Sequence, residues 1–155
     1  MSDDVAPQRT DAELLARFQN AANPPKGSVT LGLRMTAVDQ AKQQVEATFE
    51  AREDFRNPMG QVQGGYLCAM LDEVMSVACM VASGMTHVAP TLEMKTSFMR
   101  PAIADGSQLR GVGRVVKWGR TIAFTEGEIY DGAGKLLAKA TGTAIPTPFT
   151  NFKKK

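Results

Sequence analysis

The stretch Asn57–Ser83 constrains this chain most. NPMGQVQGG runs directly into YLCAMLDEVMSVACMVAS. Between Tyr66 and Ser83 the only charged residues are Asp72 and Glu73, side by side. Apolar and small residues otherwise occupy every side of the helical wheel, the pattern of a buried helix. An ionised carboxylate in such a helix is costly unless it is paired, hydrogen-bonded or put to use. One or two acids are therefore expected near the middle of a core element, just after a glycine pair that would open it.

The remaining composition narrows the class. A chain of 155 residues suits one domain with a sizeable core. Hydrophobic residues make up 43% and charged residues 22%, with a net charge of +2. Lys153, Lys154 and Lys155 supply part of that excess and read as a solvated basic tail. No basic stripe interleaved with aromatics is present, which argues against a nucleic-acid partner. The N-terminus (Ser2, Asp3, Asp4) is polar and acidic, with no apolar segment fit for secretion. The apolar run of about 18 residues carries two acids mid-chain, so a core helix is expected rather than a membrane span. Cys68 and Cys79 share that helix, roughly 16 Å apart, too far to bridge. Free buried thiols fit a reducing, cytoplasmic setting and a packing role. With one histidine, His87, and no Cys-x-x-Cys, no metal site is expected.

Hydrophobic period supplies the elements. Thr10-Asp-Ala-Glu13 is a capping box ahead of Leu14, Leu15 and Phe18, so a short helix should precede Pro24-Pro25. Ser28–Ala37 and Gln43–Ala51 alternate apolar with polar and read as two strands. Arg52–Gln63 reads as an irregular loop, and Gly64–Ser83 as the buried helix, stopped by Gly84. Thr91–Met99, Ser107–Trp118, Thr121–Tyr130 and Leu136–Ile145 read as four more strands. Gly111-x-Gly113 lies inside a strand pattern and opens no helix, so it is not a nucleotide loop. The expected fold class is α+β, a curved antiparallel sheet wrapped around one long helix. Its domain would span residues 27–148, between an N-terminal tail with a short helix (1–26) and the basic tail (149–155).

This order and these residues resemble the hotdog fold, in particular the acyl-coenzyme A thioesterases related to those of the phenylacetate pathway. The resemblance covers roughly Gly27 to Pro146. The family pattern is an Asn, then His-Gly-Gly, then an acid nine positions after the His. Asn57, Gly64, Gly65 and Asp72 fall at the matching positions, and Gln63 stands where the His is usual. Thr91 sits where the family tends to carry Ser or Thr. Phe98-Met-Arg-Pro-Ala102 resembles the strand that follows. Trp118-Gly-Arg-Thr-Ile-Ala-Phe124 resembles a segment that in relatives lies near the coenzyme A phosphates. The resemblance implies hydrolysis of an acyl-coenzyme A thioester, with coenzyme A as part of the substrate and no other cofactor. It also implies a homodimer or dimer of dimers in which Asn and acid meet across the interface.

The residue types suit that chemistry. A helix N-terminus offers free N–H groups and partial positive charge. Gly64 and Gly65 let a carbonyl oxygen approach them, as an oxyanion hole requires. Asp72 can serve as general base or as nucleophile, with Glu73, about 100° round the helix, the rival acid. Asn57 can donate from its amide or make a turn before Pro58, and Thr91 can orient water or the Asp72 carboxylate. Gln63 offers a neutral hydrogen bond only. Arg100, Lys117 and Arg120 are candidates for the coenzyme A phosphates. Two alternatives remain: a non-catalytic acyl-thioester binding protein, and a thioester hydratase or dehydratase, which the loop position of His87 disfavours.

Overall fold

Alternating apolar residues give the central strands an inner and an outer face. In the computed structural model, which describes residues 9–152, the strands are β1 (Arg34–Asp39), β2 (Gln44–Glu50), β3 (His87–Val88), β4 (Thr91–Phe98), β5 (Gln108–Trp118), β6 (Ala123–Tyr130), β7 (Leu136–Ala144) and β8 (Thr147–Pro148). Six of them form one antiparallel sheet in the order β1-β2-β5-β6-β7-β4, and β3 pairs with β8 in a separate ribbon. Val45, Ala47 and Phe49 of β2 face inward, as do Ala123, Thr125 and Ile129 of β6. The outer face carries ion pairs, Arg114 with Glu126 at 2.7 Å and with Glu128 at 3.4 Å, beside the exposed Val116 and Phe124.

Helix α1 (Asp11–Gln19) carries the expected capping box, with Thr10 N–H on Glu13 Oε2 at 2.8 Å and Glu13 N–H on Thr10 Oγ1 at 3.2 Å. It sets Leu14 into the core beside β1. The expected strand over Ser28–Ala37 is replaced by two elements. Lys26–Thr30 forms a short helix, α2, and the strand starts only at Arg34. Leu31 and Met35 are buried all the same, one at the helix end and one in the strand, so their spacing imitated a single strand. The turn between them uses Gly32 at φ +66°, where a Cβ would lie 2.9 Å from Glu50 Cβ. The basic tail Lys153–Lys155 and the acidic N-terminus lie outside the described residues.

The long helix α3 (Gly64–Ala82) crosses the inner face of the sheet. It is long and apolar enough to cross a membrane, yet nine of its residues are buried in this core. Its axis comes so close because a row of small residues lies under it. Gly113 of β5, Gly127 of β6 and Ala140 of β7 are in register across three strands. A Cβ on Gly113 would sit 2.1 Å from the Val74 carbonyl oxygen, and one on Gly127 would sit 3.0 Å from Met75 Cγ. The Gly-x-Gly of β5 is therefore a seat for the helix. The cover is incomplete: Ala69, Asp72, Glu73, Ser76 and Met80 of α3 stay only half-buried.

Gly113→Ala should accordingly cost about 3 kcal/mol or more, the upper end for overpacking, because backbone must move. Gly132→Ala, where a Cβ meets nothing within 4 Å, should be close to neutral. Urea unfolding midpoints of the two variants test the contrast. Equal midpoints would show that the helix is not seated on Gly113.

Candidate active site

The loop before α3 is tied down at both ends of its turn. Gln63 N–H donates to the Phe55 carbonyl at 2.8 Å, Val62 N–H to that of Ala102 at 2.8 Å, and the Phe55 ring stacks on Tyr66 at 4.0 Å. Gln63 is the N-cap of α3 but makes no side-chain cap bond. Gly64 and Gly65 N–H have no hydrogen-bond partner among the described residues. Two donors at the positive end of a 19-residue helix thus remain free. Each glycine has its own surroundings: a Cβ on Gly64 would lie 2.9 Å from Phe98 Cζ, whereas one on Gly65 would only touch Gln63 Oε1 at 3.6 Å. The Gln63 amide therefore lies beside the free donors. Asn57 makes the turn: its Oδ1 accepts from Met59 N–H at 2.9 Å and Gln61 N–H at 3.1 Å. That engages the oxygen and leaves its Nδ2 group with no partner among the described residues. Asn57, Gly64, Leu67, Phe98 and Arg100 line one open pocket of about 370 Å³.

Two adjacent acids have opposite surroundings. Asp72 points to the sheet edge, where Thr91 Oγ1 donates to its Oδ1 at 2.5 Å. Glu73 points the other way, toward α2, where Ser28 Oγ donates to its Oε1 at 2.9 Å. Burial pushes the Glu73 carboxyl above its ordinary value; the Ser28 bond opposes this and the neighbouring Asp72 charge adds to it. Each acid is thus engaged by one hydroxyl, Asp72 by Thr91 and the half-buried Glu73 by Ser28. Ser28 escaped sequence reading because it sat in a segment read as a strand. Burial pushes the Cys79 thiol up to about 11, as an inert packing cysteine requires, and the half-buried Cys68 contacts Thr96 Oγ1 at 3.5 Å.

The candidates do not all meet in one chain. Gly64 and Asp72 are eight residues apart on α3, about 12 Å along its axis. Asn57, Gly64 and Arg100 gather at the Phe98 end of β4, Asp72 and Thr91 at its other end. Lys117 and Arg120 belong to that second end, since Thr91, Ala144, Ala123 and Trp118 follow one another across the sheet. The length of β4 between the two groups is about 24 Å. The three cations are therefore not brought together in one chain, and Arg100 already donates to the Leu136 carbonyl at 2.9 Å.

A family model of the thioesterase superfamily matches residues 59–138, about half the chain and including all of α3. This chain belongs to the thioesterase superfamily. A relative from Thermoplasma volcanium is 36% identical over 81 residues, a match spanning 52% of this chain and 59% of that protein. The human acyl-coenzyme A thioesterase 13 is 28% identical over 113 residues, 71% of this chain and 78% of that protein. Among solved structures, a phenylacetic acid degradation-related protein of Ralstonia eutropha superposes with a TM-score of 0.73 at 36% identity, over 84% of this chain and 98% of that one. The architecture is the hotdog fold expected from the motif, and at the level of the superfamily the chain is a thioester hydrolase.

Glu73 yields a test that needs no substrate. Its folded-state pKa lies above the unfolded value of 4.5, so its favourable share of stability is present below pH 4.5 and is lost as pH rises through the folded value. Glu73→Gln keeps an acceptor for Ser28 and removes the ionisation. Relative to the parent, the variant should gain stability between pH 4 and pH 7. Urea unfolding at both pH values reads this, and an unchanged difference would mean Glu73 is not desolvated in solution.

Proposed function

We propose that the chain hydrolyses acyl-coenzyme A thioesters in a site completed by two copies of itself. The observation that carries this reading is the short Thr91–Asp72 bond set apart from the free Gly64 and Gly65 donors. Strand β4 ends the sheet with Leu92 and Phe98 more than half exposed, an edge with unpaired backbone groups. If two copies pair β4 antiparallel about a two-fold axis, the Thr91 end of one strand meets the Phe98 end of the other. Asp72, Thr91, Lys117 and Arg120 of one copy then face Gly64, Asn57 and Arg100 of its partner. The half-buried residues of α3 would be covered by the same step.

In that site the thioester oxygen accepts from the N–H groups of Gly64 and Gly65, with the Asn57 amide as a further donor. Asp72, held by Thr91, takes a proton from water as the water oxygen bonds to the carbonyl carbon. Negative charge collects on the carbonyl oxygen, where each well-placed donor is worth about 3–4 kcal/mol. The carbon–sulfur bond then breaks, and the coenzyme A thiolate takes the proton from Asp72. Direct attack by the Asp72 carboxylate, followed by hydrolysis of the mixed anhydride, uses the same placement. Gln63 supplies a neutral hydrogen bond beside the glycine donors, and Arg120, Lys117 and Arg100 are the phosphate contacts. Coenzyme A enters as substrate, not as a resident cofactor. The likeness to the human acyl-coenzyme A thioesterase 13 supports this substrate class.

Asp72→Asn should lower turnover of an acyl-coenzyme A panel by about 10² or more, and Glu73→Gln far less. Thr91→Ala, which removes a hydrogen bond to a charged group, should cost about tenfold. Binding of the same thioesters without any turnover by the parent would favour the non-catalytic alternative.

Assembly has its own readout. Mixed subunits of Asn57→Ala and Asp72→Asn, each inactive alone, should regain activity through hybrid dimers that hold one intact site. A fully active monomer in sedimentation would refute the shared site.

A further inference from the structure

The free donors at the start of α3 have two unlike walls. A Cβ on Gly64 would lie 2.9 Å from Phe98 Cζ, 3.3 Å from its Cε1 and 3.4 Å from its Cε2, so the phenyl ring meets that glycine end-on. On the Gly65 side the neighbour is the Gln63 amide, whose Oε1 would lie 3.6 Å from a Cβ there. Phe98 is the last residue of β4 and lines the same pocket as Asn57, Leu67 and Arg100. It is 54% exposed, so the ring adds little to the core and its contact can be changed without unfolding the chain.

The two walls restrict what can be bonded to a carbonyl held between them. With its oxygen on the Gly64 and Gly65 N–H groups, a thioester passes its carbonyl carbon between the ring and the amide. That carbon is trigonal, so its oxygen, the sulfur and the first acyl carbon share one plane. The thioester must therefore turn its thin dimension toward the walls. An unbranched acyl chain can keep its next carbon in the plane. A chain branched at the first acyl carbon cannot, because at least one substituent leaves the plane and meets a wall. The ring already touches Gly64 and has no room to move toward the helix. A methyl forced against it is a steric cost with no hydrogen bond to offset it.

We infer that Phe98 is a specificity-determining residue of the thioester site, a wall that admits acyl groups unbranched at the carbon next to the carbonyl and rejects those branched there. This rests on the hydrolase reading above and adds to it the residue that selects the acyl group.

The test uses butyryl- and isobutyryl-coenzyme A, isomers with the same carrier and the same number of carbons. Their ratio of kcat/KM, divided by the ratio of their hydroxide-catalysed rates, isolates the wall, since losses in assembly or in coenzyme A contacts cancel. The parent should favour the butyryl thioester about tenfold or more, within the range that one methyl group carries in a fitted pocket. Phe98→Ala should bring the ratio to within about threefold of one, and Phe98→Leu to an intermediate value. Phe98→Tyr, which keeps the ring, should retain the preference. All three should unfold close to the parent urea midpoint. Should Phe98→Ala fail to fold, Phe98→Leu alone must move the ratio in the same direction. A parent ratio near one, or a ratio unchanged in the folded Ala and Leu variants, would overturn the proposal. A parent that turns over neither thioester would refute hydrolysis, not the wall. Calorimetric binding of both thioesters to the parent and to Phe98→Ala then reads the wall directly. Equal Kd values for the two isomers in the parent, or a difference that Phe98→Ala leaves intact, would overturn it.

Discussion

The structure depends on the contact between the α3 backbone and the sheet at Gly113. A Cβ there would sit 2.1 Å from the Val74 carbonyl oxygen, so the helix lies closer than any side chain would permit. Gly127 and Ala140 extend the low track across β6 and β7. Close approach buries Leu71, Val74 and Ala78 of α3 completely and so fixes the rotation of the helix about its axis. That rotation decides where each remaining side chain of α3 points.

Asp72 and Glu73 show the consequence. A step of about 100° separates adjacent helical residues, enough to send two carboxylates into different environments. One reaches the exposed edge and the hydroxyl of Thr91; the other enters the apolar space below α1 and α2 and the hydroxyl of Ser28. The second is driven toward its neutral form by desolvation. A single helix thereby carries one acid at the sheet edge and one sheltered acid. Gly64, at the start of α3, lines the pocket beside Phe98.

Most of the architecture was legible in the chain. The all-round apolar character of Tyr66–Ser83, the capping box at Thr10 and the alternation in Gln44–Glu50 and in the four strands from Thr91 to Ala144 each express a short-range rule, met within a few residues. The exception was Ser28–Ala37. There the apolar spacing fitted a strand as well as a helix end followed by a turn, and the competition was decided by burial of Leu31 and by the turn at Gly32. The two-stranded ribbon of β3 and β8 also went unread, since two-residue strands carry no period.

The candidate site divides in the same way. The sequence by itself determined the residue types and their order: a glycine pair opening a buried helix, an acid two turns on, a threonine at the next strand, an asparagine in the loop before. These are properties of local pattern. Only the tertiary structure decided that Thr91 bonds Asp72 while Ser28 takes Glu73, since those pairs are 19 and 45 residues apart and no local rule reaches so far. It also set Gly64 and Asp72 at opposite ends of β4, and the reason is geometric: eight residues of rigid helix hold them about 12 Å apart in one chain, whatever their side chains could do together.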